Sequence, residues 1–231
     1  MTELGELTKI GVKYHTDKAW QKKHTETYSK IFDERGIDRN SEINFLEVGI
    51  SHGCSHLMWY DYFKNANIIG LDIWKIDEYY NKPDLTPNDE IKYFTDTDGE
   101  KKDKLEYIKH LLKEKDSRLH LFEGCQTDVS GFRLLRAIYN DMHVIMDDAS
   151  HIDDKTKETF LHAFPLLVSG GIYIIEDLES FGSKVQRKVI KDFAYWKDNG
   201  KFNYLENFDD IESAELIHSG GRYMFGLICK K

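Results

Sequence analysis

Two stretches of this sequence end an apolar run in acids. One is His143-Val-Ile-Met-Asp-Asp-Ala-Ser-His151-Ile152; the other is Gly171-Ile-Tyr-Ile-Ile-Glu-Asp-Leu178. Short β-rich apolar runs are the pattern of strands buried on both faces. In an open parallel sheet the strand C-termini share one edge, and ligands bind there. Asp148, Glu176 and Asp177 are therefore expected close together. Carboxylates about 5 Å apart at an effective dielectric of about 20 repel by roughly 3 kcal/mol per ionised pair. Neither stretch contains a lysine or arginine, so protons or a cation must compensate. Oxygen-only ligands suit Mg2+, Mn2+ or Ca2+ better than zinc. A divalent ion accounts for all three acids together; the alternative is that two of them cap the helices that follow. His151, beside such an ion, could accept a proton near neutral pH; alone it would be a surface or capping residue.

A second constellation lies upstream. Glu47-x-Gly49-x-x-x-Gly53 follows an apolar run from Ile43 to Val48, and Asp72 ends the next run, Asn67 to Leu71. Position 51 is Ser, so the loop is not the dinucleotide pattern Gly-x-Gly-x-x-Gly, which weakens a pyrophosphate cradle and disfavours a nicotinamide dehydrogenase. What remains is a close-approach glycine turn and an acid suited to the two hydroxyls of a ribose. A plain tight turn between strand and helix is the simpler alternative. Cys54 and Cys125 fall near strand ends without the partner spacing of a nucleophile site and read as packing residues.

These residues need a scaffold of alternating strands and helices. Strands are expected at 43–48, 67–71, 119–122, from His143 and from Gly171, with helices at 55–63, 98–115, 130–139, 155–167 and 184–196 between or after them. Ser169-Gly-Gly171 reads as a turn, and 214–218 with 222–229 as a terminal hairpin. The expectation is one α/β domain over residues 1–231, three layers with a seven-stranded, mostly parallel sheet and a C-terminal antiparallel hairpin. Residues 1–40 form a helical N-terminal segment, and 41–231 a Rossmann-like core. Within the N-terminal segment, Tyr14-His-Thr-Asp-Lys18, His24 and Tyr28 are dense in hydrogen-bonding side chains. The plainer account is a solvated helix surface capped at Thr16 or Asp17.

Totals narrow the partners. The chain has 231 residues, 32 basic against 41 acidic side chains and a net charge of −9, which argues against a nucleic acid as the main partner. No apolar run approaches the ~20 residues of a membrane helix, and no signal pattern opens the sequence. Three unspaced cysteines fit reduced thiols and a cytoplasmic setting. A homo-oligomer is compatible with the sequence.

The motifs Glu47-Val-Gly49-Ile-Ser-His-Gly53, Leu71-Asp72, Gly124-Cys-Gln126-Thr-Asp128, Asp147-Asp-Ala-Ser-His151 and Ile175-Glu-Asp-Leu178 together resemble class I S-adenosylmethionine-dependent methyltransferases. Within them, the chain resembles the macrocin O-methyltransferase-like, metal-dependent sugar O-methyltransferases, whose N-terminal segment Thr16-Asp-Lys18 with His24 and Tyr28 also resembles. The resemblance runs from about residue 14 to 180; its specific part is Asp-Asp-x-Ser-His followed by Ile-Glu-Asp-Leu, with 25 residues from His151 to Glu176. It implies S-adenosylmethionine as methyl donor, Mg2+ or Mn2+ as the ion, and a sugar or glycan hydroxyl as acceptor. Glu47, Gly49 and Gly53 would shape the methionine pocket, Asp72 would bind the ribose, and Gln126 and Asp128 would line the adenine side. Asp148, Glu176 and Asp177 would ligate the metal. His151 would be the general base, and Asp147 would support the loop or the cofactor side. Two departures stand out: Cys125 where the family often has an acid, and Ala149 where it has glycine, a change that keeps the turn unless φ is positive there. The rivals are a catechol-type O-methyltransferase and a non-catalytic binding module on the same fold.

Overall fold

The structure, a computed structural model, describes residues 4–81, 87–115, 117–177, 208–220 and 223–231. Three helices come first: α1 (Glu6–Lys13), α2 (Asp17–Trp20) and α3 (His24–Glu34). The sheet then begins with β1 (Asn44–Val48), α4 (Cys54–Tyr62) and β2 (Asn67–Asp72). Next come α5 (Ile76–Asn81), α6 (Asp89–Lys92), β3 (Tyr93–Thr95), β4 (Lys101–Asp103), α7 (Lys104–Lys113), β5 (Leu119–Glu123), α8 (Val129–Tyr139), β6 (Met142–Asp147), α9 (Asp153–Ala163) and β7 (Leu167–Ile175). The hairpin β8 (Ile211–Gly220) and β9 (Tyr223–Lys230) closes the order.

Seven strands form one sheet in the order β5-β2-β1-β6-β7-β9-β8. The first five are parallel neighbours, while β9 runs antiparallel to β7 and to β8. This is the expected mostly parallel sheet with a C-terminal antiparallel hairpin. Its interior strands alternate between two apolar layers. Phe45, Ile68, Val144, Met146, Ile172 and Ile174 pack with α1, α3, α4 and α7. Leu46, Val48, Ile69, Leu71, Ile145 and Ile175 face the other way, against α8 and α9. The sequence reads as continuous apolar runs because both faces of each strand are covered.

Three local differences from expectation have physical causes. The crossover after β2 contains a two-stranded hairpin, β3 with β4, whose three-residue strands are too short to leave a periodic signal. Strand β7 starts at Leu167, ahead of the expected turn at Ser169-Gly-Gly171. Gly170 sits at φ +77° where the pairing with β6 loses register between Met142 and Val144, so the glycine absorbs an irregularity inside the strand. The N-terminal helices are not a solvated surface: Leu7, Ile10, Tyr28, Ile31 and Phe32 belong to the same core as β1 and α4. The expected helix at 184–196, the segment 179–184 and the residues Leu178, Gly221 and Arg222 lie outside the described residues.

Candidate active site

At the C-terminal edge of the sheet, β1 runs into a loop that turns back over the edge. Gly49 lies at φ +89°, and a Cβ there would stand 2.5 Å from the Asp148 carbonyl oxygen and 2.6 Å from the Ala149 Cα. Only glycine allows the β1 and β6 loops to touch backbone to backbone. Ala149 is absent from the positive-φ positions, so alanine keeps that turn. Beneath these loops lies a cavity of about 550 Å3 whose walls include Gly49, Ser51, Asp72, Tyr79 and Gln126 on one side and Lys18, Lys22, Asp148, His151 and Asp177 on the other.

The first side is organised by Asp72. Its Oδ2 accepts from the backbone N–H groups of Ile50 (2.7 Å) and Ser51 (3.1 Å). Its Oδ1 accepts from Trp74 N–H (3.2 Å) and the Tyr79 hydroxyl (2.8 Å). An ionised carboxylate has about four acceptor sites, and here all are used. A ribose diol could replace the Tyr79 hydroxyl without disturbing the three backbone bonds. Gln126, buried at the cavity wall, accepts from Ser150 N–H (3.1 Å) and donates to Thr159 Oγ1 (2.9 Å). Its amide thereby fixes the β6 loop. A cavity of this size, with one carboxylate placed for a diol, fits a nucleoside-bearing donor.

Four residues expected on the donor side do not line this cavity. Glu47 is fully buried beneath the loop, where it binds His56 Nδ1 (3.0 Å) and Trp59 Nε1 (3.4 Å). Gly53 makes the turn into α4 at φ +76°, with Ile108 packed where a Cβ would be. Asp128 is exposed and caps α8, accepting from Ser130 N–H at 2.9 Å; its Asp-x-Ser spacing before an apolar helix was a readable cap signal. Asp147 is buried among the α8–α9 layer and takes long hydrogen bonds from Ala149 N–H and the Tyr173 hydroxyl, both 3.4 Å. Burial pushes its carboxyl up to about 7.

The second side brings Asp148, His151, Glu176 and Asp177 together, with cations the two strand-end stretches did not supply. Lys18, from α2, reaches Asp148 and lies 2.8 Å from Glu176 Oε1. Lys22 lies 2.9 Å from both oxygens of Asp177, 2.8 Å from Asp17 and 3.8 Å from Glu176 Oε2. The Tyr28 hydroxyl donates to Glu176 Oε1 at 2.8 Å. Most of the polar N-terminal stretch is therefore buried, His15 and Asp17 excepted: Lys18 is 1% exposed and His24 0%, and Thr16 makes no side-chain cap. Burial opposes charge on Lys18, but Asp148 and Glu176 raise it well above the usual lysine range. Burial, then Glu176, pushes Asp148 up to about 7 against the pull of Lys18, Lys22 and His151. His24 is lowered to about 3 by burial and then by the two lysines, so its ring is neutral.

His151 Nε2 stands 3.8 Å from Asp148 Oδ1 and 3.6 Å from Asp177 Oδ2. His151 (φ 54°) and Asp177 (φ 57°) are both in the left-handed region, as are Ser51 (φ 48°) and His15 (φ 55°). All four line the cavity, so backbone strain is concentrated where side chains are aimed. Among the described residues, two sets of ligand atoms each lie within 4.8 Å of one another: those of Asp148, His151 and Asp177, and those of His24, Glu176 and Asp177. Among the described residues, no hydrogen bond reaches the buried Glu176 Oε2 or Asp177 Oδ1, although the Lys22 ammonium lies 3.8 and 2.9 Å from them. Lys18 and Lys22 thus face four carboxyl groups, those of Asp17, Asp148, Glu176 and Asp177. The carboxylate oxygens of Asp148, Glu176 and Asp177, two of them without a hydrogen bond, fit a divalent ion of the Mg2+ or Mn2+ kind.

No family model matches the chain. Demethylmacrocin O-methyltransferase of Streptomyces fradiae is 30% identical over 241 residues, covering 95% of this chain and 47% of that protein. The 8-demethyl-8-(2-methoxy-alpha-L-rhamnosyl)-tetracenomycin-C 3'-O-methyltransferase of Streptomyces olivaceus is 27% identical over 183 residues, 75% of this chain and 37% of its own length. The chain thus spans less than half the length of these curated relatives. Among solved structures, the MycE methyltransferase of mycinamycin biosynthesis, in complex with Mg, SAH and mycinamycin VI, matches with a TM-score of 0.68 at 19% identity, over 99% of this chain and 54% of that one. An O-methyltransferase from Bacillus cereus in complex with SAH matches at 0.55 and 13%, over 100% and 93%. At these identities the structural likeness speaks for the fold. No helix among the described residues is long and apolar enough to cross a membrane.

Proposed function

From a chain with the class I S-adenosylmethionine-dependent methyltransferase fold, similar to macrocin-type sugar O-methyltransferases, we propose a sugar O-methyltransferase that uses S-adenosylmethionine and a divalent ion. The observation that carries this reading is that one cavity joins the Gly49–Asp72 side to the Asp148–His151–Asp177 side. Residues 41–231 are the donor- and acceptor-binding core, and residues 1–40 close it.

When bound, the donor supplies an already activated methyl group, and the ion supplies a Lewis acid that eases ionisation of an acceptor hydroxyl. Asp72 orients the donor's ribose, the Gly49 turn lets its methionine end approach the backbone, and Gln126 holds the loop that separates donor from acceptor. Asp148, Glu176 and Asp177 would hold the ion. Sugar hydroxyls are weak acids, so a base must take the proton, and His151 does so at Nε2, steadied by the carboxylates of Asp148 and Asp177. Positioning supplies much of the acceleration.

A panel of glycosylated and catechol acceptors assayed for S-adenosylhomocysteine release, with and without EDTA, tests the proposal. The expected result is turnover on sugar acceptors only, abolished by EDTA and restored by Mg2+ or Mn2+. Asp148→Ala and His151→Ala should lose turnover and keep donor binding by calorimetry. Full activity in metal-free buffer sinks the metal role, catechol turnover alone sinks the sugar acceptor, and absence of donor binding points to a non-catalytic module.

A further inference from the structure

The two lysines among the acids are seated differently. Lys18 is enclosed; of its partners, Glu176 is fully buried and Asp148 is 18% exposed at the cavity wall. Lys22 sits in the turn between α2 and α3, with its backbone N–H on the Asp17 carbonyl (2.8 Å) and its own carbonyl accepting from Ser219 Oγ (3.4 Å). Its ammonium bridges interior Asp177 and Asp17, whose side chain is 44% exposed at the cavity wall. Asp177 is also the residue common to both groups of potential metal ligands.

We propose that Lys22 is a tethered cation that competes with the divalent ion for Asp177, so that metal binding and the seating of Lys22 exclude one another. The inference rests on reading the acids as a divalent-ion site. Both oxygens of Asp177 lie 2.9 Å from the ammonium, whereas Mg2+ and Ca2+ need carboxylate oxygens at roughly 2.0–2.6 Å. Two cations that close to the same oxygens in a buried site repel strongly. Lys22 has a second partner to fall back on, because Asp17 lies 2.8 Å away on the solvent side. Lys18 contacts only Oδ2 of Asp148 and Oε1 of Glu176, which leaves the other oxygen of each for an ion. It has no partner among the described residues as open as Asp17, so it stays as their countercharge. Without an ion, Lys22 keeps Asp177 neutralised and the 21–23 turn drawn against the cavity. With an ion, the turn is released where it borders the cavity. By linkage, metal occupancy and the position of this turn are coupled, and couplings of this kind amount to roughly 5–150-fold in affinity.

The test uses the full chain and Mn2+, followed by loss of the free-ion EPR signal, with Mg2+ as competitor. Lys22→Gln should bind Mn2+ about 10–100-fold more tightly than the wild type, while Lys22→Arg, which keeps the charge, should not. Equal or weaker binding by Lys22→Gln overturns the competition and leaves the metal site standing. Absence of Mn2+ binding by both wild type and Lys22→Gln overturns the metal reading, and this inference with it. A measurement on the unaltered protein does not depend on the variants folding: amine acetylation of Lys22, read by mass spectrometry, should speed up severalfold at saturating Mn2+. An unchanged or slower rate overturns the proposal.

Discussion

The two sides of the cavity handle buried negative charge by opposite means. Asp72 is surrounded by neutral donors, three backbone N–H groups and a phenol, all within 22 positions of it in the chain. Asp148, Glu176 and Asp177 are met by full charges and a phenol from the N-terminal segment, 130 to 155 positions away. Backbone dipoles fixed by a turn need no reorganisation and leave room for a neutral diol. Ammonium groups on flexible stems can be exchanged for another cation. The difference matches what the proposed function asks of each side: a hydroxyl pair on one, an ion on the other.

The sharpest way to break this contrast is to remove the fixed countercharge. Lys18→Met should destabilise the chain by about 3–5 kcal/mol, because it strands Asp148 and Glu176 in the interior. Urea denaturation measures it, and a loss below 1 kcal/mol would mean that the acids do not depend on the lysine. Gly49→Ala tests the backbone contact that joins the two sides; the new Cβ meets the Asp148 carbonyl at 2.5 Å. The expected cost is about 1–3 kcal/mol, together with weakened donor binding, since both loops must move.

Tyr79→Phe probes the neutral side. It frees one acceptor site on Asp72, and S-adenosylhomocysteine should bind about 2–10-fold more tightly, the worth of one net hydrogen bond. Calorimetry giving weaker binding would make the hydroxyl a donor contact instead of a placeholder. The smallest effect belongs to the Lys13–Asp61 pair (2.9 Å), which ties α1 to α4. Burial acts to raise Asp61, but Lys13 outweighs it and holds the carboxyl below its ordinary 3.8. The pair's contribution is therefore complete above that value and lost as pH falls through the lowered one. Asp61→Asn should cost under about 1 kcal/mol and flatten the stability–pH curve only in that acid range.

The same contrast explains what the sequence revealed. Strand ends, the glycine turn and the acids at 72, 148, 176 and 177 are local signals, since apolar runs stop where the sheet edge meets solvent. The neutralising lysines are not local. Their partners were sought within the strand-end stretches, and a polar run such as Tyr14 to Lys18 resembles a wet helix until the acids that receive it are known. Glu47 shows the converse error: an acid at a strand end pointed into the core beneath the loop, where His56 and Trp59 take it up. Sequence alternation gives the face a residue occupies only when the strand's twist and the neighbouring helix are known. The hairpin of β3 and β4 was too short to have a period at all.

The distance in sequence between the lysines and their carboxylates also bears on biosynthesis. During translation at about 5–20 residues per second, Lys18 emerges roughly 7–26 s before Asp148, its partner 130 positions later. Through that interval Lys18 and Lys22 lack Asp148, Glu176 and Asp177, and Tyr28 lacks Glu176, although Lys13 already has Asp61. The ends of β6 and β7 must therefore recruit the earlier α2 and α3, so the acid side is assembled after the Asp72 turn.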